Sequence, residues 1–118
     1  MSDFFKDKVV AITGGSTGIG KALIELLLSM GAKIATCARN QDKLYDLQVS
    51  HSKEPLHCIV ADVSNYNDCK LFIESTIKQF GGIDVLINNA GISMRSLLKD
   101  AEPEVFRKVM DINFFGTV

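Results

Sequence analysis

Three glycines near the start of the chain have the spacing of a phosphate-binding turn. Residues 13–20 read Thr-Gly-Gly-Ser-Thr-Gly-Ile-Gly and are called the glycine turn below. Glycine permits positive φ and lets backbone N–H groups approach a phosphate closely. A helix that begins at such a turn offers an anion unpaired donors and the positive end of its dipole. We therefore predict that Gly14, Gly18 and Gly20 shape a pyrophosphate site, and that Ser16, Thr17 and Ile19 of the same turn also contact the cofactor.

The end of the second apolar run indicates which dinucleotide fits. A domain that binds NAD usually carries an acid about 20 residues past the glycines, on the ribose 2′-hydroxyl. This chain has Arg39 followed by Asn40 there and no carboxylate. A guanidinium forms charge-assisted hydrogen bonds with a 2′-phosphate, and the Ser16 hydroxyl would add a donor. The pattern favours NADP(H) over NAD(H), with Arg39 and Asn40 at the adenosine end.

A P-loop is the competing interpretation of the same glycines. Gly15, Gly20 and Lys21 match most of that pattern. Its last position requires a Ser or Thr hydroxyl for Mg²⁺, and this chain has Ala22. A nucleotide triphosphatase is therefore the weaker hypothesis.

The elements that must position these residues alternate between strands and helices. Short apolar runs predict four strands, at residues 9–12, 33–38, 56–61 and 84–87. This alternation predicts an α/β fold of the Rossmann type, a doubly wound parallel sheet of which these are the first four strands. Ligands of such sheets bind at the carboxyl ends of the strands, where the glycine turn lies.

Apolar residues at helical spacing predict the helices between the strands. The first helix extends from about Gly18 to Met30, and the second from an Asn40 cap through Leu47. The third follows a Ser64 cap and ends at Gly81, since glycine favours a helix end. Pro103 suits the first turn of a fourth helix, which carries Phe106, Val109, Met110 and Asn113.

Composition excludes several other classes of protein. The 118 residues are 47% hydrophobic and 23% charged with a net charge of −1, which is typical of one globular domain without a nucleic-acid or membrane partner. No signal peptide is apparent, and the three cysteines are too scattered for a disulfide framework, so a cytoplasmic location is expected. His51 and His57 lack ligand spacing, so no metal site is expected.

Four ordered motifs resemble those of the short-chain dehydrogenases/reductases. The glycine turn is similar to that family's cofactor motif, and Asp62-Val63 to its adenine-contacting pair. Asn88-Asn89-Ala90-Gly91 resembles its fourth-strand motif, and Asp111-x-Asn113-x-x-Gly116 the segment with its catalytic asparagine. The resemblance covers essentially the whole chain, and four motifs in order are more specific than any one of them.

The resemblance implies an NADP(H)-dependent oxidoreductase that transfers hydride between the nicotinamide and a carbonyl or alcohol substrate. It implies that Asp62 and Val63 contact adenine and that the backbone of Asn89, Ala90 and Gly91 lies against the ribose. It also implies that Asn113 holds a water molecule in a proton relay and is the catalytic residue of this segment. The family further implies a homo-oligomer, a dimer or tetramer, for the full-length protein.

The family's catalytic serine and Tyr-x-x-x-Lys follow these motifs, so residues 1–118 are expected to be the cofactor-binding part and inactive alone. Tyr66 and Lys70 have that spacing but precede the fourth-strand motif, so we interpret them as a surface pair. Truncation is expected to leave the fourth strand as an exposed edge. The alternative is a non-catalytic dinucleotide-binding or interaction module.

Overall fold

The computed structural model describes residues 4–15 and 18–87, and the backbone of residues 110–112. Strands and helices alternate along the chain within the described residues 4–15 and 18–87. The elements are β1 Val9–Thr13, α1 Gly18–Ser29, β2 Lys33–Ala38, α2 Gln41–Ser50, β3 Leu56–Val60, α3 Tyr66–Phe80, β4 Val85–Ile87 and β5 Met110–Ile112.

All five strands form one parallel sheet in the order β3-β2-β1-β4-β5. The chain builds outward from β1 to β3 and then crosses back to place β4 on the other side of β1. This reversal is the switch point at which α/β sheets bind ligands. The predicted fold class, a Rossmann-type doubly wound sheet, is confirmed.

The two faces of the sheet are covered by different helices because alternate residues of a strand point in opposite directions. On one face, Ala35 and Cys37 pack with Phe72 and Ile73 of α3. On the other, Ile12 and Ile34 pack with Ile24 of α1 and with α2. Phe72 is fully buried, and burial of a side chain of this size contributes about 2–3 kcal/mol. All five residues of β1 are buried, as expected of a central strand.

The helix caps agree with the sequence at two positions and differ at a third. Asn40 caps α2 as predicted, since its Oδ1 accepts from the amide of Lys43, and Gly81 ends α3 with φ of 87°. The predicted Ser64 cap of α3 is wrong, because Asn65 holds that position and its Oδ1 accepts from the amide of Asp68. The amide and hydroxyl of Ser64 both donate to Asp62 instead.

The region after β4 also differs from the sequence prediction. Met110–Ile112 is a strand, not part of a helix that begins at Pro103, and it pairs in parallel with Val85–Ile87. Among these residues Asp and Ile are weak helix formers, while the pairing supplies hydrogen-bond partners for an apolar strand. The expectation that β4 is an exposed edge is therefore wrong as well. Residues 103–109 and Asn113 lie outside the described residues.

Across the described ranges no helix is both long and apolar enough to span a membrane. The three cysteines are free.

Candidate functional site

A cleft of about 490 Å³ opens at the carboxyl ends of β1, β2 and β3. Parallel strands bring their carboxyl ends to one edge of the sheet, so residues distant in sequence meet there. The cleft is lined by Gly14, Cys37, Ala38, Arg39, Asn40, Lys43, Ala61, Asp62, Val63 and Ser64. Five of the predicted site residues are thus brought together, namely Gly14, Arg39, Asn40, Asp62 and Val63.

The described part of the glycine turn has the backbone conformation that only glycine adopts readily. Gly14 has φ of 70° and Gly18 has φ of 60°. The amide of Gly14 donates to the carbonyl oxygen of Cys37 across 2.9 Å, which ties the turn to β2. Gly18, Ile19 and Gly20 form the first turn of α1 and do not line the cleft.

Gly15 has a packing role that sequence reasoning did not assign. A Cβ on this residue would collide with Oγ1 of Thr36 and Cδ1 of Ile24. The turn therefore lies directly against β2 and α1, and a side chain at position 15 would push it away. A G-x-x-x-G-x-G pattern leaves this position unspecified, so only the three-dimensional packing reveals the requirement.

Two cations line the cleft at the end of β2 and the start of α2. The side chains of Arg39 and Lys43 are exposed, and neither forms an ion pair with a described residue. Lys43 was missed from sequence, although a signal was present. The Asn40 cap places Lys43 in the first turn of α2, since the Lys43 amide donates to the Asn40 side chain. A cation in that turn interacts unfavourably with the helix dipole, and this unusual position was the signal.

Asp62 supplies the negative group on the opposite side of the cleft. Its Oδ1 accepts from the Ser64 hydroxyl at 2.7 Å and from the Ser64 amide at 2.9 Å. These bonds, together with the nearby positive charge of Arg39, lower the pKa of the Asp62 carboxyl from its ordinary value. The carboxylate is thus ionised at neutral pH and accepts hydrogen bonds. The backbone amide of Asp62 donates to the Asp68 carboxylate across 2.9 Å, and this bond anchors the loop after β3 to α3.

Cys37 completes the floor of the cleft. Burial raises the pKa of its thiol to about 12, so the group is neutral and contributes an apolar surface. The neighbouring Ala38 and Ala61 also line the cleft, and their small side chains leave room in it for a flat ligand group at the ends of the paired strands β2 and β3. The sequence identified these residues as strand interior and did not place them at the site.

Several predicted site residues cannot be placed in the cleft. Ser16, Thr17, Asn89, Ala90, Gly91 and Asn113 lie outside the described residues. Tyr66 and Lys70 are both exposed on α3, as expected of a surface pair. No group of three or more metal-ligating side chains occurs in the part of the chain that the structure describes.

Comparison with known proteins identifies the class to which this fold and cleft belong. Residues 8–118 match the family model described as short chain dehydrogenase, and the chain therefore belongs to the short-chain dehydrogenase/reductase family. An uncharacterized oxidoreductase of Staphylococcus saprophyticus is 37% identical over 96% of this chain. A protein of Arabidopsis thaliana called 11-beta-hydroxysteroid dehydrogenase-like 2 is 41% identical over 93% of it.

Solved structures agree with this assignment. A short chain dehydrogenase from Bacillus anthracis superposes with a TM-score of 0.68 over 74% of this chain at 36% identity. A short chain dehydrogenase/reductase from Burkholderia phymatum, solved in complex with NAD, gives 0.69 over 75% at 28% identity. The chain spans 46% of the Staphylococcus relative, 37% of the Arabidopsis relative, and 36% and 32% of the two solved chains.

Proposed function

We propose that this chain is the cofactor-binding part of an NADP(H)-dependent oxidoreductase. The observation that carries the proposal is the charge of the cleft at the end of β2. Arg39 and Lys43 line it there without an ion-pair partner among the described residues, while the one lining carboxylate, Asp62, belongs to the loop after β3. Two cations suit the 2′-phosphate of NADP(H), whereas the ribose 2′-hydroxyl of NAD(H) would call for an acid at that strand end.

The described residues fit an adenine dinucleotide. Gly14 and Gly18 have positive φ, and Gly15 has no room for a side chain. Glycines at these positions would let a pyrophosphate approach the backbone closely. The Asp62 carboxylate would accept from the adenine amino group, with Val63 beside the ring. Arg39, with Asn40 at the same turn, would bind the 2′-phosphate, and the Ser16 hydroxyl would add a donor. Thr17, Ile19 and Gly20 complete the proposed pyrophosphate site.

The rest of the catalytic machinery belongs to the same proposal. The backbone of Asn89, Ala90 and Gly91 would contact the cofactor ribose, and Asn113 would hold a water molecule for proton transfer. A serine and a Tyr-x-x-x-Lys elsewhere in the whole protein would protonate the substrate oxygen. The nicotinamide supplies or accepts the hydride when it is bound. We propose a small carbonyl or alcohol as the substrate, a homo-oligomeric assembly and a cytoplasmic location.

Substitution of Arg39 by Asp tests the cofactor assignment. The change removes a cation from the 2′-phosphate site and adds the acid that a ribose 2′-hydroxyl prefers. Charge-assisted hydrogen bonds of this kind contribute about 1.5–3 kcal/mol, so the Kd for NADPH should rise by about 10–100-fold. The Kd for NADH should fall or stay the same. Fluorescence titration of the reduced nicotinamide measures both constants.

Lys53→Gln is the matched control, because Lys53 is an exposed cation in the turn between α2 and β3, away from the cleft. It should leave both constants unchanged. An equal loss of NADPH and NADH affinity in Arg39→Asp would contradict the proposed 2′-phosphate role. Binding of neither dinucleotide by the unmodified protein would contradict cofactor binding altogether.

A further inference from the structure

We infer that Thr36 is a positioning residue for the glycine turn, an inference that rests on the proposed binding of a dinucleotide pyrophosphate there. Thr36 lies in β2, on a strand that the sequence analysis treated only as a scaffold for Arg39. It touches no proposed ligand atom. Its hydroxyl instead fixes the backbone that would hold the ligand.

The Thr36 hydroxyl is completely buried and has a single defined partner. Its Oγ1 donates to the carbonyl oxygen of Ile12 across 2.7 Å. Ile12 is the register partner of Thr36 between β1 and β2, and its carbonyl lies two residues before Gly14. Buried hydroxyls in proteins are nearly always hydrogen-bonded because an unmade bond costs about 1–3 kcal/mol. This bond therefore holds the Thr36 side chain in one orientation.

In that orientation the hydroxyl lies directly against Gly15. A Cβ built on Gly15 would collide with Oγ1 of Thr36 in β2 and with Cδ1 of Ile24 in α1. The backbone of Gly15 thus lies against the hydroxyl oxygen of Thr36 and the Cδ1 methyl group of Ile24. The carbonyl of Ile12 and the amide of Gly14 are each bonded to β2 as well, at Thr36 and at Cys37. These contacts hold Gly14 and Gly15 against β2.

Pyrophosphate binding depends on this placement because backbone N–H groups must point at the phosphate oxygens. A binding site works when its groups are held within about 0.5 Å of the productive geometry. A methyl group in place of the Thr36 hydroxyl is larger than an oxygen and cannot donate to Ile12. It would push the Gly15 backbone away by a few tenths of an ångström and remove the hydrogen bond to the carbonyl of Ile12, so that the Gly14–Cys37 bond alone would tie the start of the turn to β2.

The test compares Thr36→Val with Thr36→Ser in the full chain. Valine replaces the hydroxyl by a larger methyl group that cannot donate a hydrogen bond, whereas serine keeps the hydroxyl and loses only the methyl. The probes are NADPH and NADH, which contain a pyrophosphate, and 2′-AMP, which has adenine and a 2′-phosphate but no pyrophosphate. Calorimetric titration gives the three dissociation constants, and urea unfolding of each variant confirms that it is folded.

We expect Thr36→Val to weaken NADPH and NADH alike by about tenfold, equivalent to about 1.4 kcal/mol, and to leave 2′-AMP within about twofold. Thr36→Ser should bind all three within about threefold of the unmodified chain. If Thr36→Val does not fold, Thr36→Ala replaces it, since alanine removes the hydroxyl without adding bulk and should show the same selective loss.

Three results would overturn the inference. The first is unchanged NADPH affinity in the variants that lack the hydroxyl. The second is equal loss of NADPH and 2′-AMP, which would indicate a general loosening of the fold. The third is an equal loss of NADPH affinity in Thr36→Ser and Thr36→Val. Failure of the proposed function is distinguishable from all three, because the unmodified chain itself would then bind neither NADPH nor 2′-AMP.

Discussion

The backbone amide of Gly14 donates a hydrogen bond of 2.9 Å to the carbonyl oxygen of Cys37. This bond joins the first glycine of the turn to the end of β2, two residues before Arg39. Gly14 of the proposed pyrophosphate site is therefore tied directly to the strand that leads into Arg39 of the proposed 2′-phosphate site. A substitution at either position should change its own part of the site without displacing the other, which makes separate tests informative.

Lys43→Gln should weaken NADPH binding by about 2–5-fold and leave NADH binding unchanged, because an exposed cation contributes up to about 1 kcal/mol to binding of a doubly charged phosphate. The loss should be smaller at high salt, where the contribution of an exposed charge is screened. Titration with each dinucleotide at two ionic strengths measures the effect, with Lys53→Gln as the control. Equal weakening of NADH would show that Lys43 does not act on the 2′-phosphate.

Gly15→Ala should lower the free energy of unfolding by about 2 kcal/mol, since the new methyl group has no space between Thr36 and Ile24. Ile24→Val removes the Cδ1 atom that causes part of the collision. The double variant should therefore lose less stability than the sum of the two single variants, by about 0.5 kcal/mol or more. Urea unfolding of all four proteins gives this coupling, and strictly additive losses would contradict the packing that we describe.

Asn65→Ala should destabilise the chain by about 1 kcal/mol because it removes the cap of α3. Ser64→Ala is its neighbour and matched control. It should cost about 0.5 kcal/mol or less, yet it should raise the pKa of Asp62 toward the ordinary value by removing the strongest bond to that carboxylate. Urea unfolding and an NMR titration of the Asp62 side chain separate the two effects. A larger loss of stability in Ser64→Ala would restore serine as the cap.

His51 should make stability depend on pH. Its ring lies 2.7 Å from Oε1 of Glu54 and 3.2 Å from Oε2 of Glu25, and the bond to Glu54 is the main cause that raises the pKa of His51 above 6.5. Stabilisation by the charged ring is therefore fully present below pH 6.5 and is lost as pH rises through the higher folded pKa. Both carboxylates are largely exposed, which limits the contribution to about 1 kcal/mol.

The His51 effect is measured by comparing the unmodified chain with His51→Gln in urea at about pH 5.5 and about pH 9. The variant should be the less stable protein at the lower pH and equal to the unmodified chain at the higher pH. Glu54→Gln should remove most of the same difference. A gap in stability that does not vary with pH would mean that the ion pairs do not contribute.

The sequence predicted the bounds of strands and helices well where glycine or a helix-capping residue lies next to them. The bounds of β2 match the prediction because Gly31 and Asn40 lie on either side of a short, mostly apolar run. The second helix continues to Ser50 beyond the predicted Leu47, since no glycine or proline interrupts it before residue 51. Ser64 and Asn65 are both good caps by type, and only the competing acceptor on Asp62 decides between them.

The sequence predicted the part of the candidate site that lies directly at the ends of the strands. Gly14, Arg39, Asn40, Asp62 and Val63 follow strand ends, so strand order alone brings them to one cleft. Lys43 was not predicted from the sequence, and its place in the cleft lining is given by the structure, where its amide donates to the Asn40 cap. The requirement for glycine at position 15 comes from Thr36, which is distant in sequence and adjacent only once β1 and β2 pair.

Every described residue that lines the cleft comes from one uninterrupted stretch, residues 14–64, on the β1–β2–β3 side of the sheet. The residues proposed to determine coenzyme preference therefore lie in a single short segment of the chain. We expect that transplanting residues 14–64 into a related scaffold would transfer the proposed preference, with no change in the rest of that scaffold.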